Sequence, residues 1–183
     1  MSQGRLFCIS GPSGAGKGTL VERVLKLVPD AWVSVSATTR KPRVGEVDGV
    51  HYFFMTEHEF TKTIDEDGFI EWARVHSNYY GTPIAPIREH VAAGDCVLLE
   101  IDVQGAFQVR DKIPETTLVF IAPPSMEELE ARLRGRGTDA PEVIEQRLQN
   151  AQAEIDASQE YDYVIVNDDL DKATTELVSV LQS

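Results

Sequence analysis

The sequence predicts an α/β fold: a parallel sheet flanked by helices, carrying an inserted, mainly antiparallel lobe and a helical lid. Three observations carry that expectation. Short continuous apolar runs recur along the chain with helical stretches between them, the pattern of strands buried on both faces of a parallel sheet. The segment 34–93 breaks this rhythm with aromatic, glycine-punctuated stretches, and the segment after Ser125 is strongly charged and interrupted by Gly135-Arg136-Gly137.

Taken in order, Leu6-Phe7-Cys8-Ile9-Ser10 reads as a buried strand that runs into the tight turn Gly11-Pro12-Ser13-Gly14-Ala15-Gly16. Leu20, Val24 and Leu27 then recur at helical spacing until Pro29-Asp30 stops them. Further buried strands are expected at Val97–Asp102, Leu118–Ala122 and Tyr163–Val166. Within the lobe, Asp48-Gly49 is a two-residue hairpin signal between Gly45-Glu46-Val47 and Val50–Phe54. Ser125 and Glu128 have the spacing of a capping box and open a charged helix, and a second helix starts between Asp139 and Glu142 with Leu148 on its inner face. The expected division of 1–183 is a core at about 1–33, 94–125 and 149–183, a lobe at about 34–93 and a lid at about 126–148.

Composition limits what the surface can attract. The formal charge of −13 excludes a general affinity for nucleic acid or for anionic membrane, both of which need a positive surface. Residues 1–50 nevertheless hold seven Lys or Arg against four Asp or Glu, so any phosphate-binding chemistry is local and near the first motifs. Cys8 and Cys96 each sit in an apolar run, which reads as two buried reduced thiols and fits a cytoplasmic setting. No stretch approaches the roughly 20 apolar residues of a membrane span.

The chemistry starts at Gly11-Pro12-Ser13-Gly14-Ala15-Gly16-Lys17. It matches a phosphate loop at the place the mechanism demands, between strand and helix. Backbone N–H groups there can cradle phosphate oxygens and Lys17 can bridge β and γ phosphates. The eighth position departs from the pattern: Gly18 stands where Ser or Thr would supply a magnesium ligand, and Thr19 follows one residue late. Such a loop says only that a nucleoside triphosphate binds. Arg40 and Arg43, three apart around Pro42, form a clamp suited to a phosphate dianion, with a solvated turn as the competing reading. Tyr52 and Tyr80 could add phenolic donors or be core residues.

Together with Gly45–Gly49, His51–Phe54, Phe69–Ala73, Asn78–Thr82, Ile101–Gly105, Arg134–Gly137 and Val166–Asp169, these motifs make the chain resemble the guanylate kinase family over essentially its whole length. The resemblance implies a phosphate-loop core, a GMP-binding lobe and a lid, with ATP and GMP as substrates and magnesium accompanying ATP. It places Arg40, Arg43, Tyr52 and Tyr80 on the GMP phosphate, and Ser36, Glu71, Thr82 and Asp102 on the guanine. Carboxylates suit that base, because its N1–H and N2–H groups are donors where adenine offers an N1 lone pair.

By the same resemblance, Lys17, Arg132, Arg136 and Arg147 act on the transferring phosphoryl group, and Asn167 lies near the adenine. Glu100 stands where the family usually has Asp, associated with magnesium through water. Glu128–Arg132 and Glu130–Arg134 are also ordinary i,i+4 pairs, and Arg134 is read as structural. A non-catalytic phosphopeptide-binding scaffold of the same family and an adenylate-type kinase, suggested by Lys17-Gly18-Thr19, are the alternatives. Magnesium held mainly by phosphates and water would let Gly18→Ser keep activity within about one order of magnitude and lower the magnesium requirement.

Overall fold

The computed structural model describes residues 4–183; Met1, Ser2 and Gln3, assigned to the core by sequence, lie outside the described residues. In chain order the elements are β1 (Arg5–Ser10), α1 (Lys17–Leu27), β2 (Ala31–Val33), β3 (Ala37–Thr38), β4 (Phe53–Phe54), α2 (Glu57–Asp65), β5 (Phe69–Val75) and β6 (Asn78–Pro83). They continue with α3 (Ile84–Ala93), β7 (Cys96–Glu100), α4 (Val103–Lys112), β8 (Thr117–Ala122), α5 (Met126–Gly135), α6 (Pro141–Ala157), β9 (Tyr163–Val166) and α7 (Leu170–Gln182).

The main sheet has the order β2-β7-β1-β8-β9, and every pairing in it is parallel. The continuous apolar runs of β1, β7 and β8 arise because both faces are covered, whereas Tyr163–Val166, expected as a buried strand, forms the edge strand β9 and buries only Ile165. Phe7, Ile9, Leu98, Val119, Ile121 and Ile165 point into one cluster under α1 and α7. Leu6, Cys8, Val97, Leu99, Leu118 and Phe120 fill the other, under α3 and α4. Cys8 and Cys96 are buried and unpaired, and burial pushes the Cys96 thiol up to about 11. β2 was not foreseen, because three half-buried edge residues give no periodic signal.

The second sheet has the order β4-β3-β6-β5. β3–β6 and β5–β6 are antiparallel, whereas β3–β4 is parallel. The hairpin expected at Asp48-Gly49 does not form. Glu46 is drawn away to Arg40 and the Arg43 backbone, and the Asp48 carboxylate accepts from Phe54 N at 2.9 Å. The segment therefore closes as a compact turn, with Gly49 at φ 77° donating to Tyr52 O.

This region also holds two helices the sequence reading left out. α2 is short and buries only Phe60, but Thr56 and Glu59 complete a reciprocal capping box. Phe60 stacks on Phe69 with ring centroids 4.3 Å apart and anchors a small aromatic core. α3 sends Ile84 and Ile87 into the main core.

At Ser125 only the forward half of the expected box is present, the hydroxyl accepting from Glu128 N at 3.1 Å. α5 and α6 enclose a separate cluster of Leu129, Leu133, Ile144 and Ala151, with Leu148 against it. α6 runs unbroken past residue 148 to Ala157, where Ile155 joins the main core. No helix among the described residues is long and apolar enough to cross a membrane.

Candidate active site

The loop between β1 and α1 is closed by Ala15 N donating to Pro12 O at 3.1 Å, and it delivers the chain directly into the first turn of α1 at Lys17. The unsatisfied N–H groups of that turn make it an anion site. Lys17 Nζ donates to Gly11 O at 3.3 Å. Gly16 has φ 86°, and a Cβ there would stand 2.4 Å from Asn167 Nδ2, so the position admits only glycine.

Asn167 is buried just beyond β9, and its Nδ2 donates to Ala15 O at 2.8 Å. Asn167, which the family resemblance placed near the adenine, commits its side-chain nitrogen to bracing the loop. Asn167→Ala is expected to leave a buried carbonyl unpaired. That should destabilise the fold by about 1–3 kcal/mol. Melting curves check it: an unchanged midpoint would remove the bracing role.

Across from the loop, Ser36, Tyr52, Glu71, Tyr80, Glu100 and Asp102 line one cleft of about 310 Å³. It opens at the carboxyl ends of the main strands, where open α/β sheets bind ligands. A larger cavity of about 630 Å³ lies at the opposite, amino-terminal end beside Arg5, Leu6, Ile87 and Val91, remote from the loop.

Glu71 is the buried acid of the cleft. It accepts from Thr82 Oγ1 at 2.5 Å, across the β5–β6 pairing. Burial raises its pKa; the Thr82 bond opposes this, and Asp102 adds to it. Asp102 lies beyond the end of β7, exposed, and caps α4 by accepting from Gly105 N at 2.7 Å. Gly105 itself is a residue that sequence reasoning missed, since a Cβ there would meet Glu71 Oε2 at 3.1 Å and Asp102 Oδ1 at 3.3 Å. Its place at the end of the Ile101–Gly105 motif was the available signal.

Arg40 points both nitrogens at Glu46, at 3.1 and 2.8 Å, and lies over the Tyr52 ring at 5.4 Å. Glu46, also missed, is held by Arg40 and by Arg43 N, which lowers its carboxyl pKa to about 2. It orients the arginine fork. Tyr52 and Tyr80 meet edge to face with centroids 6.2 Å apart. Arg43 is exposed, its guanidinium without a side-chain partner among the described residues.

Two of the charged helices' arginines reach the loop region. Arg132 bonds Glu128 at 3.1 Å and also Asn167 O at 3.2 Å, and Arg147 donates to Ser13 Oγ at 3.2 Å. Arg147 also pairs with Asp139 at 3.1 Å, an electrostatic contact rather than an aligned hydrogen bond. Arg134 is occupied by Glu130, as expected. Arg136 is exposed at the end of α5 and makes no side-chain bond among the described residues. Glu154, two turns beyond Arg147 on the same face of α6, is half-buried. Burial raises its carboxyl pKa although the Lys17 charge pulls it down.

The guanylate kinase family model matches residues 3–183. The chain is 56% identical to the guanylate kinase of Synechococcus sp. (strain CC9311), covering 92% of this chain and 89% of that one. It is 52% identical to the guanylate kinase of Carboxydothermus hydrogenoformans, covering 99% and 89%. The crystal structure of guanylate kinase from Anaplasma phagocytophilum superposes with a TM-score of 0.78 at 34% identity, covering 99% of this chain and 86% of the other. A phosphate loop facing a carboxylate-lined cleft, a sequence match over nearly the whole chain and a shared fold lead to one conclusion: the chain belongs to the guanylate kinase family.

Proposed function

We propose that the protein transfers the terminal phosphoryl group of ATP to GMP, giving ADP and GDP. The observation that carries this reading is the buried Glu71–Thr82 pair, set beside Asp102 in a cleft that also faces the phosphate loop. Guanine would direct its N1–H and N2–H donors at the carboxylates and its O6 at the hydroxyls of Ser36 or Thr82. Adenine would confront an ionised carboxylate with its N1 lone pair, and a buried acceptor left unpaired rejects the wrong ligand strongly. Arg40, Arg43, Tyr52 and Tyr80 would hold the GMP phosphate.

That phosphate is already a dianion, so its oxygen can attack the γ phosphorus without a general base. The bond from the γ phosphorus to the β–γ bridging oxygen breaks, and ADP leaves with the electron pair. The protein's part is in-line positioning and charge stabilisation by Lys17, Arg132 and Arg147, joined by Arg136 when α5 and α6 close over the site. Magnesium fits the residues present: Glu100 ends β7 with an exposed carboxylate and no side-chain bond among the described residues, an oxygen donor beside the loop. When bound with ATP it would neutralise the β and γ phosphate oxygens.

A phosphopeptide scaffold would need Arg40, Arg43, Tyr52 and Tyr80 but would have no use for Lys17, Arg132 and Arg147 gathered at the loop. A coupled assay of ADP formation with GMP, AMP or no acceptor tests the reading. GMP is expected to exceed AMP by at least about a thousandfold in kcat/KM; equal use of AMP, or no acceptor-dependent turnover, would refute it.

A further inference from the structure

Glu71 sits just past an irregularity in β5. The pairing of β5 with β6 shifts register between Phe69 and Glu71, and at such a point a strand can re-aim a side chain. Phe69 enters the small aromatic core, whereas Ile70 enters the main core. One face of α4 holds the strand on both sides of the shift. Before it, Lys112 Nζ donates to Phe69 O at 2.7 Å and to Asp67 Oδ1 at 3.0 Å. After it, Trp72 N donates to Gln108 Oε1 at 3.2 Å, and Gln108 Nε2 donates to Trp72 O at 3.3 Å. β5 is the outer strand of its sheet, so this one amide stands in for a strand neighbour by answering both a donor and an acceptor. Gly105, Gln108 and Lys112 are spaced three and four apart, which sets them on one helical face. Gly105 is the residue whose Cβ would meet Glu71 Oε2.

Asp102 caps the same helix through Gly105 N. Both carboxylates of the cleft are therefore tied to one rigid element. We propose that α4 sets the spacing of Glu71 and Asp102 toward guanine, with Gln108 and Lys112 as the positioning residues that hold Glu71 to it. This deepens the GMP reading above and rests on it. A base with both N1–H and N2–H donors needs two acceptors at a fixed separation, whereas a base without the 2-amino group does not. Loosening β5 from α4 should therefore weaken the hold on the 2-amino group more than the hold on the rest of the nucleotide.

The test is calorimetry of GMP, of inosine monophosphate, which lacks the 2-amino group, and of ATP on the parent, Gln108→Met and Lys112→Met. Methionine keeps an unbranched, adaptable side chain and removes the bonds to β5. The parent is expected to prefer GMP over inosine monophosphate about a hundredfold, and each variant to reduce that preference about tenfold, the scale of a hydrogen bond to a charged acceptor. ATP affinity, and kcat at saturating GMP, should stay within about threefold, as independent sites do. Melting curves follow the accompanying loss of stability, which by itself predicts no change in base preference. An unchanged preference in Gln108→Met, or an equal loss of ATP affinity, would overturn the positioning role. GMP-dependent ADP formation by the parent separates the two ideas. Turnover with an unchanged preference in the variants removes the positioning role alone, whereas a preference lost in the variants of a parent without turnover removes the kinase reading alone.

Discussion

Lys17→Ala is expected to lower kcat by at least about a thousandfold while GMP affinity stays within about threefold. The magnitude follows from position. Lys17 opens α1 at the anion-binding end of the loop, and one preorganised donor aimed at developing charge is worth about 10²–10³ in rate, more for a full positive charge on a transferring phosphoryl group. The proposed GMP side of the cleft is built on and beside the other sheet, through Arg40, Tyr52, Glu71 and Thr82, and none of these residues bonds Lys17. Turnover measured beside GMP calorimetry separates the roles, and loss of GMP binding would show that Lys17 serves the acceptor site. Arg136→Ala should give the same pattern. Its guanidinium reaches no other side chain among the described residues, so the proposed effect requires α5 and α6 to close.

Glu71→Gln should weaken GMP about a hundredfold, leave ATP within about threefold and raise the melting temperature. The binding loss reflects replacement of a buried charged acceptor by an amide that presents a donor to guanine N–H groups. The stability gain has the opposite origin. Burial raises the Glu71 pKa in the folded chain above its unfolded value. The stability from this group is therefore complete below the unfolded value and is lost as pH rises through the raised folded value. Once ionised, the buried carboxylate burdens the fold, and glutamine relieves that burden. GMP affinity of the parent should correspondingly fall more steeply on acidification than that of the variant, which keeps only the loss that comes from protonation of the GMP phosphate itself. Equal weakening of both nucleotides would place Glu71 outside the base pocket.

Sequence alone determined the elements whose signals are local. A strand buried on both faces must be continuously apolar, so Leu6–Ser10 and Leu118–Ala122 declared themselves, and a glycine-rich turn between strand and helix announced the phosphate loop. The types of chemistry were legible too, in Lys17, Arg40, Glu71 and Asp102. Only the tertiary structure decided which of these groups meet. β2, β3 and β4 are two or three residues long, too short for any periodicity to register, and α2 buries a single side chain. The turn at 47–52 brings Glu46 to Arg40, and the order β1-β8-β9 sets Asn167, which the resemblance had placed near the adenine, against Ala15. Gly105 beneath Glu71, and Gln108 against Trp72, depend on separate layers stacking within a few ångströms. A sequence states what each residue can do and how its neighbours repeat; which distant atoms come into contact is fixed only when the sheets and helices bury their apolar faces against one another.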